Sequence, residues 1–214
     1  MAPPRGSKRG PDSAGTPGPR PEEGCAQAWI ELSTHDAEAM SALAVARARL
    51  GEGRGLASLR RLRLFELRGP LPARADIEGL LHRSTWFYNP HKERCTLRTA
   101  AREPVPAVAG EQAVLVVERG GERCTAAERW WLHETGQAVE VRAGLAWLLR
   151  FEPGEDAPAR AAELAVVSGR SRGLLCNPNA QDHALAPAAR VPLPWIGSEG
   201  ERPGGSRARK RGTS

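Results

Sequence analysis

Apolar and polar positions recur in the same order twice along the chain. The first stretch opens with Ala28-Trp-Ile-Glu-Leu32, a run that predicts a short strand. Ser33 and Thr34 follow as candidate helix caps, and Asp36 and Glu38 suit the positive end of a helix. Met40, Leu43 and Leu50 give that helix a partial apolar face, and it is expected to stop near Gly51. The second stretch opens with Ala113-Val-Leu-Val-Val117. Thr125-x-x-Glu128 matches a capping box, Trp131 and Leu132 follow, and Gly136 is the natural stop.

Each half then carries a candidate hairpin. Val139 and Val141 alternate on one face, Arg142-Ala-Gly-Leu145 supplies a turn, and Trp147, Leu149 and Phe151 alternate on the return. Shifting by 82 residues sets Leu59 at Val141, Phe65 at Trp147 and Leu67 at Leu149, with Arg61-Leu-Arg63 in place of the turn. Second helices are expected over 73–82 and 157–168. After each comes an Asn-Pro: Trp86-Phe-Tyr-Asn89-Pro90-His-Lys-Glu93 and Leu174-Leu-Cys-Asn177-Pro178-Asn-Ala-Gln181. In both, an apolar triplet precedes Asn-Pro, and Glu or Gln stands three residues beyond the Pro. A last strand is expected in each half, over 91–98 and around 181–185. The fold class is therefore α+β, two tandem ferredoxin-like βαββαβ modules, with Asn89 and Asn177 equivalent at the junction of second helix and last strand. The apolar faces of two such sheets are expected to cover each other within the chain.

Composition adds the boundaries. The chain has 214 residues with 23 glycines and 18 prolines. These crowd into residues 1–24, read as a disordered tail, and 197–214, read as a disordered basic tail with the Arg207-Ala-Arg-Lys-Arg211 cluster. Modules are expected over 25–101 and 112–196, joined by a linker over 102–111. The formal net charge is +6, but residues 25–105 net +4 and 106–196 net −2, so the body is not a uniformly basic surface. No apolar run approaches the ~18 residues of a membrane span, and the first residues lack an apolar signal core, which predicts a cytoplasmic location.

The module ending resembles the small (PurS-type) subunit of phosphoribosylformylglycinamidine synthase. Leu174-Leu175-Cys176-Asn177-Pro178 with Gln181-Asp182 carries the resemblance, together with Val141-Arg142-Ala-Gly-Leu-Ala-Trp-Leu-Leu149. It implies a non-catalytic accessory subunit of a glutamine-dependent ligase complex. Its partners would be the synthase large subunit and the glutaminase subunit, and the two joined modules would replace a small-subunit dimer by pairing within one chain.

Candidate chemistry is sparse. Cys25, Cys95, Cys124 and Cys176 are scattered without a C-x-x-C, and neither a metal site nor a cofactor is expected. Gly169-Arg-Ser171-Arg-Gly173 fits G-x-S-x-G with Asp182 and His183 downstream, but follows a helix instead of a strand. Gly51-Glu-Gly-Arg-Gly55 is rich in glycine but lacks phosphate-loop spacing. Arg60, Arg61, Arg63 and Arg68 along the first hairpin support an alternative reading as an RNA- or nucleotide-binding module, although Leu64-Phe-Glu-Leu67 lacks the aromatic pattern of such sheets. The best contact candidates for a partner or ligand are Tyr88, Asn89, His91, Lys92, Glu93 and Arg94, with Asn177 and Gln181 in the second half.

Overall fold

The computed structural model describes residues 24–119, 122–169 and 171–197. Both expected tails, apart from Gly24 and Gly197, lie outside the described residues. The elements run β1 (Gly24–Leu32), α1 (Ala37–Arg49), β2 (Leu56–Gly69), α2 (Arg74–Arg83), β3 (Glu93–Arg98), β4 (Gln112–Glu118), β5 (Glu122–Arg123), α3 (Thr125–Thr135), β6 (Glu140–Phe151), α4 (Ala157–Ala165) and β7 (Gln181–Pro187). The fold is α+β. One antiparallel sheet has the order β3-β1-β2-β6-β4-β7, with the short β5 beside β6.

The expected hairpins are single strands, so the first half is βαβαβ, the second is the same with the short β5 added after β4, and neither is βαββαβ. Strand β2 contains no glycine before Gly69, and Gly144, at the presumed second turn, is not among the glycines with positive φ. A tight turn needs residues in that region, and without them the chain runs on. The alternation kept its parity throughout, from Val141 to Phe151 and from Leu59 to Leu67, as one continuous strand requires. The two long strands pair with each other from Leu56↔Phe151 to Arg68↔Glu140.

That pairing relates the halves by an approximate twofold axis. The positions that the sequence shift equates, Arg63 and Leu145, lie directly opposite each other. Registers repeat around it. Ala28 pairs with Phe65 as Val114 pairs with Trp147, and Ile30 pairs with Cys95 as Val116 pairs with His183.

The halves thus join edge to edge. The expected packing of one sheet face on the other is replaced, because the shared sheet has helices on one face and irregular chain on the other. On the helical face, the first cluster combines Ile30, Phe65, Ile77, Leu81 and Phe87 of the first half with Trp131 and Val141 of the second. The second combines Ala39, Ala46 and Leu59 of the first half with Val114, Trp147, Leu149 and Leu164 of the second. Helix α1 lies on β2 of its own half and shares its apolar cluster with the second half, while α3 lies on β6 of its own half and shares its cluster with the first, where Trp130 and Trp131 meet Phe87.

Helix ends follow local chemistry. Asp36, not Ser33 or Thr34, caps α1 by accepting from the N–H groups of Glu38 (2.9 Å) and Ala39 (3.2 Å). Asp156 accepts from the N–H of Ala159 at the start of α4, which ends at Ala165, short of the expected Ser168. Glu128 does not close a capping box, and its carboxylate accepts from the N–H of Val141 and from Arg123. Gly136 ends α3 in the left-handed conformation, its N–H reaching Leu132 O at 2.8 Å.

The opposite face buries Trp29, Leu62, Leu64, Leu115 and Leu148 under Val105 of the connecting segment and Ala188, Val191, Trp195 and Ile196 of the C-terminal segment. Trp29 and Trp195 stack with centroids 6.1 Å apart. A buried polar cluster pins this cover. Glu66, fully buried, accepts from Gln27 Nε2 (2.8 Å), from Arg68 (2.8 Å) and from the backbone N–H groups of Trp195 and Ile196. Arg98, 2 % exposed, donates to Gln27 Oε1 and to the carbonyls of Pro192, Ala101 and Glu103.

Two measurements check this account. Because each apolar cluster needs both halves, excised residues 106–196 are expected to be unfolded by circular dichroism, while the full chain melts cooperatively. Glu66→Ala leaves buried donors without an acceptor, and chemical denaturation is expected to show a loss of about 3 kcal/mol or more.

Candidate functional site

The two Asn-Pro segments fold into the same turn. Asn89 Oδ1 accepts from His91 N at 3.0 Å, and Asn89 O accepts from Lys92 N and Glu93 N at 2.9 and 2.8 Å. Asn177 Oδ1 accepts from Asn179 N at 3.0 Å, and Asn177 O from Ala180 N and Gln181 N at 3.1 and 2.8 Å. Each turn is locked by its last residue, since Glu93 Oε2 accepts from Asn89 N (2.7 Å) and Gln181 Oε1 from Asn177 N (2.9 Å). The recurring Glu or Gln is explained by this bond. Both turns lead directly into a sheet edge, β3 or β7.

The other candidates distribute as follows. Tyr88 is buried, with its hydroxyl 3.1 Å from His82 Nδ1, and burial raises its pKa. His91, Lys92 and Arg94 are exposed. Glu93 also clasps Arg63 with both oxygens, at 2.8 and 2.9 Å.

The four arginines of the supposed first hairpin lie on one continuous strand and divide between its faces. Arg61 and Arg63 point to the helical side. Arg61 pairs with Asp36 (2.9 Å) and with Glu38, and Arg63 lies over the Phe65 ring at 5.5 Å. Arg60 and Arg68 are on the other side, Arg60 bonded to Glu31 (3.0 Å) and Glu111 (3.2 Å), and Arg68 to Glu66 and to Ile196 O. All four are bound to carboxylates.

The glycine motifs have packing roles. A Cβ on Gly53 would lie 2.1 Å from Ala46 O, and one on Gly173 would lie 1.7 Å from Val166 O at a φ of +68°. Ser171 sits in an exposed loop between α4 and β7 with no helix after it, which is not the setting of a nucleophile elbow.

A feature the sequence reading missed flanks the first Asn-Pro turn. Between α2 and the edge strand β3 lies a cavity of about 310 Å³ lined by Glu78, Leu81, His82, Tyr88, Cys95 and Leu97. The available signal was the spacing of Glu78 and His82, one turn apart on α2. Burial, with a smaller contribution from Glu78, pushes the Cys95 thiol up to about 12. Burial likewise pushes Cys25 up to about 11. Among the described residues, no three His, Cys, Asp or Glu side chains gather as a metal site would need, and no helix is long and apolar enough to cross a membrane.

No family model, curated protein or solved structure matches the chain.

A thiol with so high a pKa is almost wholly protonated at pH 7.5, and the thiolate is the nucleophile. Cys95 is therefore expected to alkylate with iodoacetamide at least tenfold more slowly than glutathione (about one pH unit of thiolate fraction), read by peptide mass mapping of the native chain.

Proposed function

We propose that this chain is a non-catalytic binding subunit, a covalently joined counterpart of the paired small subunits of phosphoribosylformylglycinamidine synthase. The single observation that carries the reading is the repetition of the Asn-Pro turn, bond for bond, at matching ends of a pseudo-symmetric sheet. The resemblance of Leu174-Leu175-Cys176-Asn177-Pro178 and Gln181 to that family's module ending falls on the same turn. The joined halves supply within one chain what two separate small subunits would supply between chains, and the turns at the two ends of the sheet offer matched contacts to larger partners.

The arginine arrangement favours this reading over nucleic-acid binding. A phosphate at Arg60, Arg61, Arg63 or Arg68 would have to displace a bonded carboxylate, and no one surface presents all four.

Affinity purification of the full chain from cells that make it naturally, followed by mass spectrometry, is expected to return a synthase large subunit and a glutaminase in near-stoichiometric amounts. Recovery of neither protein would overturn the assignment.

A further inference from the structure

Strand β3 ends the sheet on the first-half side, and among the described residues one of its sides has no neighbouring strand. The hydrogen bond from Ser33 N to Lys92 O (2.8 Å) sets the phase of the β1–β3 ladder. Lys92, Arg94, Thr96 and Arg98 therefore bond inward to β1, and the backbone groups of Glu93, Cys95 and Leu97 face outward. Two of these outward groups are taken: Glu93 N donates to Asn89 O, and Leu97 O accepts from Arg74 at 2.7 Å. The N–H and carbonyl of Cys95, at the middle of the edge, have no partner among the described residues.

The side chains on either side of this edge differ in chemistry. Cys95 and Leu97 face the helical side, at the cavity completed by Leu81, His82 and Tyr88. Arg94 and Thr96 are exposed on the other side, and Lys92 continues that row. Neither Lys92 nor Arg94 has an ion-pair partner among the described residues; Glu31, opposite Arg94, is bonded to Arg60.

We propose that β3 docks an extended acidic segment of a partner protein, which adds a seventh full strand to the sheet. Main-chain bonds would form to the N–H and carbonyl of Cys95. Side chains alternate across a strand, so the segment would alternate in kind. Its acidic residues would face Lys92 and Arg94, and an apolar residue between them would enter the cavity, where Glu78 disfavours a carboxylate. Charge also argues against a second copy of this chain. An antiparallel β3–β3 pair centred on Cys95 would set Lys92 of one copy against Arg98 of the other and place both Arg94 side chains on one face.

The inference rests on the binding-subunit reading and deepens it. Co-purification decides that reading, and a direct peptide measurement decides this one. The probes are a fluorescein-labelled heptapeptide alternating glutamate with valine and leucine, and its twin with lysine for glutamate. Fluorescence anisotropy with the full chain is expected to detect only the acidic peptide. The Kd is expected to rise about tenfold or more in the Lys92→Glu, Arg94→Glu double variant. Cys95→Pro should also abolish binding where Cys95→Ala, which trims the same cavity-lining side chain, does not, because the only backbone donor that proline removes faces away from β1, a substitution an edge strand tolerates. Hydrogen exchange on the unmodified chain gives an independent readout, with the Cys95 amide slowing when the acidic peptide saturates. Equal binding of both peptides, no binding, binding that survives Cys95→Pro, or an unchanged Cys95 amide would each overturn the proposal. Self-association of the full chain that is lost in Cys95→Pro would overturn it in favour of a second copy.

Discussion

Strands β2 and β6 pair along almost their whole lengths, and the other packing relationships depend on that contact. Two long strands laid antiparallel, with Arg63 opposite Leu145, extend past the strands beside them. Strand β1 pairs with the later part of β2, from Arg63 to Gly69, and β4 with the later part of β6, from Leu145 to Leu149. The earlier part of each long strand is then placed beside the other half. Helix α1 lies on β2 yet shares a cluster with Trp147 and Leu149 of the second half, while α3 lies on β6 yet shares a cluster with Phe65 and Phe87 of the first. Each apolar cluster thus draws residues from both halves, so the stability of the halves is shared.

Joining by edges leaves the sheet with one face uncovered by helices, and the chain solves this with its connecting and C-terminal segments. Irregular backbone lying on an apolar sheet brings polar groups that must be satisfied. Glu66, Gln27 and Arg98 meet that need from within the sheet, taking up the N–H groups of Trp195 and Ile196 and the carbonyls of Pro192, Ala101 and Glu103. The charged residues of β2 are therefore largely structural. Their partners are strand residues (Glu31, Glu66 and Glu93), the start of α1 (Asp36 and Glu38) and Glu111 of the connecting segment. Among the described residues, Lys92 and Arg94 beside the β3 edge are exposed cations without an ion-pair partner.

Common topology does not make the halves chemically equal. At the second turn, Arg119 donates to the carbonyls of Pro178 and Asn179 and lies 3.7 Å from Asp182. Its counterpart by hydrogen-bond position in the first half is Ser33, too short to reach across the turn, since Ser33 N meets Lys92 O as Arg119 N meets Ala180 O. Where the second half has Leu174-Leu175-Cys176, the first has Trp86-Phe-Tyr88, and Tyr88 helps to line a cavity at the edge. The second turn is closed on itself by Arg119, and the first is the more open of the two.

Much of the local structure was legible in the sequence because it arises between near neighbours. The positions of the helices, the stop at Gly136, the Asn-Pro turns at Asn89 and Asn177 and the parity shared by Leu59, Phe65 and Leu67 with Val141, Trp147 and Leu149 all depend on residues a few positions apart. Parity could not distinguish a hairpin from one long strand, since an alternating pattern fits both, and only a partner strand of similar length made the straight course favourable. Nor could it assign Arg60, Arg61, Arg63 and Arg68 to carboxylates 2 to 51 residues away in sequence. The clusters that α1 and α3 share with the opposite half, the buried role of Glu66, and the outward-facing Cys95 at an unpaired edge were all set by long-range pairing. A sequence specifies which residues alternate, but the surface against which they alternate exists only once distant strands have met.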